Sequence, residues 1–87
     1  MHVLVEGRVQ GVNFRHYTRQ KATELGITGW VKNKPDGSVE ATFEGDEDSV
    51  REIIDWCGTG PPSSEVFNVS VREEVWNGEF KEFRVVH

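Results

Sequence analysis

Apolar residues recur along this chain with two different periods, and the switches between them mark out its elements. Residues 2–8 begin a β-rich run in which Val3, Val5 and Gly7 share one face, the alternation of a strand. From residue 14 the period changes: Phe14, Thr18, Ala22 and Leu25 fall at helical spacing, Tyr17 and Lys21 line the edge of that stripe, and Gly26 supplies a stop. Strand character returns over residues 28–33, through Trp30 and Val31. Lys34-Pro35-Asp36-Gly37 predicts a tight turn, with proline fixing φ and Asp-Gly allowing the reversal. Val39, Ala41 and Phe43 then alternate with Glu40, Thr42 and Glu44, which predicts a third strand hairpin-paired to the second. Gly45 ends it. Asp46-Glu47-Asp48-Ser49 is an acidic helix start, and Val50, Ile53, Ile54 and Cys57 follow at helical spacing with Trp56 on the flank. The run from Gly58 through Pro61-Pro62 to Ser64 breaks that helix. Phe67, Val69, Val71 and Glu73 share one parity and predict a strand over 66–73; Asn77-Gly78 predicts a reversal, and 80–86 reads as a last strand with Phe83 and Val85 inward.

The order is β-α-β-β-α-β with an extra short strand near the end. That is the α+β class, a ferredoxin-like split βαβ sandwich with a four-stranded antiparallel sheet and both helices on one face. Residues 1–87 are expected to form one domain. No internal repeat of useful length appears. No apolar run approaches the roughly 17–25 residues that span a bilayer, and residues 1–10 lack the apolar core and small-residue cleavage site of a signal peptide. The expectation is a cytoplasmic protein with no membrane association.

Composition narrows the chemistry. The chain carries 15 acidic and 10 basic side chains, a formal net charge of -5, which argues against general nucleic-acid binding because backbone affinity depends on surplus Lys and Arg. A single cysteine excludes an internal disulfide framework and an all-cysteine metal site. The charge is uneven. Residues 1–43 hold six basic and four acidic side chains, +2, and residues 44–87 hold four and eleven, -7. The positive half contains Arg8, Arg15, His16 and Arg19, clustered about the loop between the first strand and the first helix.

In that loop Gly7 and Gly11 permit positive φ, so successive N–H groups can converge as an anion nest, and the helix start adds further donors. Arg15 lies in the first turn, where its fork can close on a phosphate. The run lacks the Gly-Lys-Ser/Thr end of a P-loop and is no dinucleotide fingerprint. Spacing alone leaves open a plain crossover loop with a solvated arginine. Asn33, ending the second strand, can donate and accept at once and so hold a water, or it can simply pair with turn backbone.

The joined segments Gly7-Arg8-Val9-Gln10-Gly11-Val12-Asn13-Phe14-Arg15, Gly29-Trp30-Val31-Lys32-Asn33 and Asp36-Gly37-Ser38-Val39-Glu40, with Gly60-Pro61-Pro62 and Phe83-Arg84-Val85, resemble the acylphosphatases over essentially the whole chain. The resemblance implies an enzyme that hydrolyses small acyl phosphates to a carboxylate and inorganic phosphate. It implies a substrate-binding role for Arg15 and orientation of the attacking water by Asn33. The phosphoryl oxygens are expected on backbone N–H groups of Val9, Gln10, Gly11, Val12, Asn13, Phe14 and Arg15. No metal and no other cofactor is called for: His2, His16 and His87 share no metal motif, and a monomer suffices. Two positions depart from the family pattern. Asn13 stands where an aromatic or other large side chain is common, and Lys34 where some members have threonine.

Three other readings compete. One is a non-catalytic phosphate or acyl-phosphate binding domain. Another is a single-stranded RNA binder presenting Trp30, Phe43, Phe67 and Phe83 on a sheet, against which packing of these rings under the helices is the simpler expectation. The third, a ferredoxin-like metal carrier, lacks paired cysteines. His16 is expected at the rim and Cys57 inside the second helix.

Overall fold

The computed structural model describes residues 1–74, 78 and 80–86. Its elements follow one another as β1 (His2–Arg8), α1 (Phe14–Leu25), β2 (Thr28–Asn33), β3 (Val39–Glu44), α2 (Glu47–Thr59), β4 (Glu65–Arg72) and β5 (Phe83–Val86). The five strands form one sheet in the order β4-β1-β3-β2-β5. The four strands expected from the sequence, β1 to β4, are joined by three antiparallel pairings: β1 with β3 and β4, and β2 with β3. The extra short strand is β5. It begins at Phe83 rather than residue 80 and runs parallel to β2. Asn77, the first residue of the expected Asn77-Gly78 reversal, lies outside the described residues.

Both helices cover one face, α1 over β2 and β5 and α2 over β1 and β4. The alternation explains why. Val3 and Val5 from β1, Val31 from β2, Val39, Ala41 and Phe43 from β3, and Phe83 from β5 are buried against Phe14, Thr18 and Ala22 of α1 and Val50, Ile53 and Cys57 of α2. Thr18 is fully buried, and its hydroxyl donates to the Phe14 carbonyl at 2.7 Å, so no polar group is stranded there. Trp56 packs on Phe14 with ring centroids 5.5 Å apart, closing the seam between the helices. α2 starts as its acidic run requires: the Asp46 carboxylate accepts from the backbone N–H groups of Asp48 and Ser49.

One glycine is indispensable to the sheet. Gly29 of β2 pairs with Phe43 on one side and Phe83 on the other, and the two rings stack at 5.7 Å across it. Its φ is +136°, and a Cβ there would meet the Thr42 carbonyl oxygen at 1.9 Å.

Two aromatic positions depart from the sequence reading. Phe43 and Phe83 pack under the helices, but Trp30 lies on the opposite face, where the Lys32 ammonium sits 5.3 Å from its ring centroid. Phe67 is 72% exposed. The cause is a bulge: Glu6 pairs with Asn68 and Gly7 with Val66, leaving Phe67 without an opposite residue. The bulge breaks the single parity read over 66–73, so that Val66 and Val69 are the residues packed against the core.

Candidate active site

The parallel strands β1, β2 and β5 all end at the same edge of the sheet, and the chain leaves β1 there to enter α1. That edge carries a pocket of about 340 Å³ lined by Gly11, Asn13, Phe14, Arg15, His16, Arg19, Asn33 and Val85.

The loop ahead of α1 is shaped for donors. Gly11 has φ 73° and Asn13, at the N-cap of α1, has φ 61° and ψ 25°, a left-handed conformation that places no side-chain cap on the helix. The backbone N–H groups of Gln10, Gly11, Val12 and Asn13 reach no backbone carbonyl among the described residues. The first-turn N–H groups of α1 lack intrahelical partners by helix geometry. The loop entering α1 therefore brings the Gln10, Gly11, Val12 and Asn13 N–H groups, with no backbone partner among the described residues, to the positive end of the helix dipole at the pocket, whereas α2 is capped by its own Asp46.

Arg15 lies in that first turn, and its Nη1 donates to the Val86 carbonyl at 3.1 Å. The parallel addition of β5 beside β2 thus supplies an anchor for the guanidinium. Across the pocket, Asn33 Oδ1 is buried and accepts no hydrogen bond from any described residue. A buried carbonyl oxygen left so is costly unless a ligand or water donates to it.

The hairpin that carries Asn33 is braced from two sides. The Asp36 carboxylate accepts from the Ser38 hydroxyl at 2.5 Å and the Ser38 N–H at 2.9 Å, and these bonds hold its carboxyl below the ordinary 3.8. Gln10 Nε2 donates to the Lys34 carbonyl at 2.7 Å and to the Ser38 carbonyl at 2.8 Å, joining the loop before α1 to the turn after β2.

Of the residues singled out from the sequence, Gly11, Asn13, Phe14, Arg15 and Asn33 line the one pocket. Val9, Gln10 and Val12 do not. The Val9 side chain is in the core, Val12 packs against it, and the Gln10 carboxamide is committed to the hairpin. Arg19 and Val85 enter the pocket without having been assigned to it. Arg19 was detectable, being four residues after Arg15 on one helical face; Val85 was not, since nothing local announces the parallel pairing of β5. His16 is exposed and lines the pocket. Burial pushes the Cys57 thiol up to about 12, which removes it as a nucleophile at neutral pH. Among the described residues no group of three or more His, Cys, Asp or Glu is arranged to hold a metal ion, and no helix is long and apolar enough to cross a membrane.

Comparison with known proteins gives the family of the chain and agrees with its fold. The acylphosphatase family model matches residues 1–85. An acylphosphatase of Pelotomaculum thermopropionicum is 50% identical over 84 residues, covering 97% of this chain and 91% of that protein. One of Syntrophobacter fumaroxidans is 55% identical over 84 residues, covering 97% and 87%. The crystal structure of acylphosphatase from Bacillus subtilis matches with a TM-score of 0.94 at 36% identity, over 99% of this chain and 96% of that one. The chain belongs to the acylphosphatase family. Membership at this level supports hydrolysis of acyl phosphates as its activity.

Proposed function

We propose that the chain hydrolyses small acyl phosphates to a carboxylate and inorganic phosphate, with Arg15 and the loop amides holding the phosphoryl group and Asn33 positioning water. The observation that carries this reading is the meeting, in one pocket, of the uncapped start of α1, the Arg15 side chain and the Asn33 carboxamide. The uncommitted N–H groups of the loop and the Arg15 guanidinium neutralise the phosphoryl oxygens and stabilise charge that shifts toward them as the bond to the acyl oxygen stretches. The Asn33 Oδ1, with no donor among the described residues, accepts from a water and turns its lone pair toward phosphorus.

The water oxygen bonds to phosphorus as the phosphorus–acyl oxygen bond breaks. The departing electrons stay on the carboxylate, and a water proton passes to a phosphoryl oxygen of the substrate. A carboxylate is a good leaving group, so no acid is needed at the leaving oxygen. Positioning and charge stabilisation are then the main contributions of the protein. The scheme calls on no metal ion.

The test is phosphate release from benzoyl phosphate, with p-nitrophenyl phosphate as the comparison and a chelator present. Preference for the acyl phosphate is expected, with Arg15→Ala raising KM and lowering kcat, and Asn33→Ala lowering kcat by about 10²-fold with the fold retained. Parent-rate hydrolysis by Asn33→Ala would overturn the water-positioning role. Preference for p-nitrophenyl phosphate would overturn the substrate class.

A further inference from the structure

Resting on that reading, we propose that Arg19 is a specificity-determining residue, and that the site favours acyl phosphates whose acyl chain ends in a second anionic group, a carboxylate. Arg15 and Arg19 are four residues apart on α1 and line the same pocket. Four residues rise about 6 Å along a helix and return to the same face. A phosphoryl group held at the loop and Arg15 leaves its acyl chain to run along this face, with Val85 as the apolar wall. Arg19 then stands about one helical turn beyond the phosphoryl site, within reach of the far carboxylate of a diacid of about four or five carbons.

The charge environment supports that assignment. The chain has 15 acidic residues, yet none lines this pocket among the described residues. Five of the other cations are engaged: Lys21 pairs with Glu52, Lys32 with Glu40, Arg51 with Glu47, Arg72 with Glu74 and Arg84 with Glu82. Arg19 has no ion pair and no side-chain hydrogen bond among the described residues. Its fork is the shape that a carboxylate accepts bidentately. A pocket of about 340 Å³ also extends past what a phosphoryl group alone occupies.

The experiment compares succinyl phosphate with butanoyl phosphate, which have equal carbon counts and differ in the terminal carboxylate. The parent protein is expected to show a KM about three- to tenfold lower for succinyl phosphate, a preference that shrinks with added salt. Arg19→Gln should bring the two KM values together, and Arg19→Lys should keep part of the difference. Because the readout is a ratio between two substrates of one variant, a general loss of fold or activity does not mimic it. Equal KM values in the parent, or a preference that survives Arg19→Gln, would overturn the inference while leaving the proposed activity standing. Failure of the parent to hydrolyse either compound would overturn the proposed activity, and this inference with it.

Discussion

The Gln10 carboxamide donates to the Lys34 carbonyl at 2.7 Å, a bond that crosses from the loop that starts α1 to the residue immediately after Asn33. The same nitrogen donates to the Ser38 carbonyl at 2.8 Å. The donor loop and the Asn33 strand end are far apart in sequence, and this one side chain sets their separation.

Replacing Gln10 with alanine removes both bonds and leaves the Lys34 carbonyl dependent on Gly37 alone. The expected outcome is a fall in kcat of about tenfold with a smaller change in KM, and a loss of about 1–2 kcal/mol of stability. Steady-state kinetics on benzoyl phosphate and urea unfolding check the two effects separately. An unchanged kcat would mean that the loop and hairpin hold their spacing without Gln10.

Two glycines should respond to alanine with opposite signs. Gly29→Ala puts a Cβ 1.9 Å from the Thr42 carbonyl at φ +136°, and the backbone cannot retreat without breaking the β2–β3 pairing. A loss of about 3 kcal/mol or more is expected. Gly58 lies inside α2 with nothing within 4 Å of a new Cβ, so Gly58→Ala should stabilise by about 0.5–1 kcal/mol. Parallel urea titrations of the two variants decide both.

Glu40 sits on the open face of the sheet, where the His2 ring nitrogen lies 2.6 Å from its carboxylate and Lys32 approaches to 3.6 Å. The His2 hydrogen bond holds its carboxyl below the ordinary 4.5, against the opposing effect of burial. A depressed folded value means that the stabilisation is present above about pH 4.5 and is lost as the pH falls through the folded value. Glu40→Gln should therefore cost about 0.5–1.5 kcal/mol at pH 7, and the gap to the parent should close as the pH falls from about 4.5 through the lowered folded value. Thermal unfolding of both proteins across that range would contradict the assignment if the gap stayed constant.

Cys57 is the chain's one cysteine. It is buried between α2 and the sheet, with its thiol pushed up to about 12. A disulfide reagent at pH 8 should leave the native protein unmodified and label one thiol after unfolding in guanidinium. The same shift predicts alkaline destabilisation. The buried thiol favours folding in full below pH 9, and that contribution is lost as the pH rises from 9 toward 12. Cys57→Ala should remove this component of the alkaline loss.

Much of the architecture was legible because the two periods are clean. Val3 and Val5, or Phe14, Thr18 and Ala22, can satisfy their burial in only one kind of element. Arg15 and Asn33 were legible through the run of residues around them. What escaped was non-local. The parallel pairing of β5 with β2 has no turn of its own to announce it, so the anchoring of Arg15 on Val86 and the entry of Val85 into the pocket were invisible. Phe67 misled for the related reason that a bulge inverts parity without changing composition. Gln10 was read for its backbone amide alone, because a side chain's distant partner cannot be seen along the chain.

By itself the sequence determined which segments are strands and helices, that the charge is divided into a positive first half and an acidic second half, and which family the chain resembles. These follow from local periodicity, capping and composition, which act over a few residues at a time. The tertiary structure decided the rest. It ended three parallel strands at one edge, set an uncapped helix start against a buried carboxamide, turned Trp30 and Phe67 away from the core, and placed Arg19 in a pocket that no carboxylate of the described residues lines. Those outcomes depend on which strand pairs with which, and strand pairing is settled by contacts between residues distant in the chain.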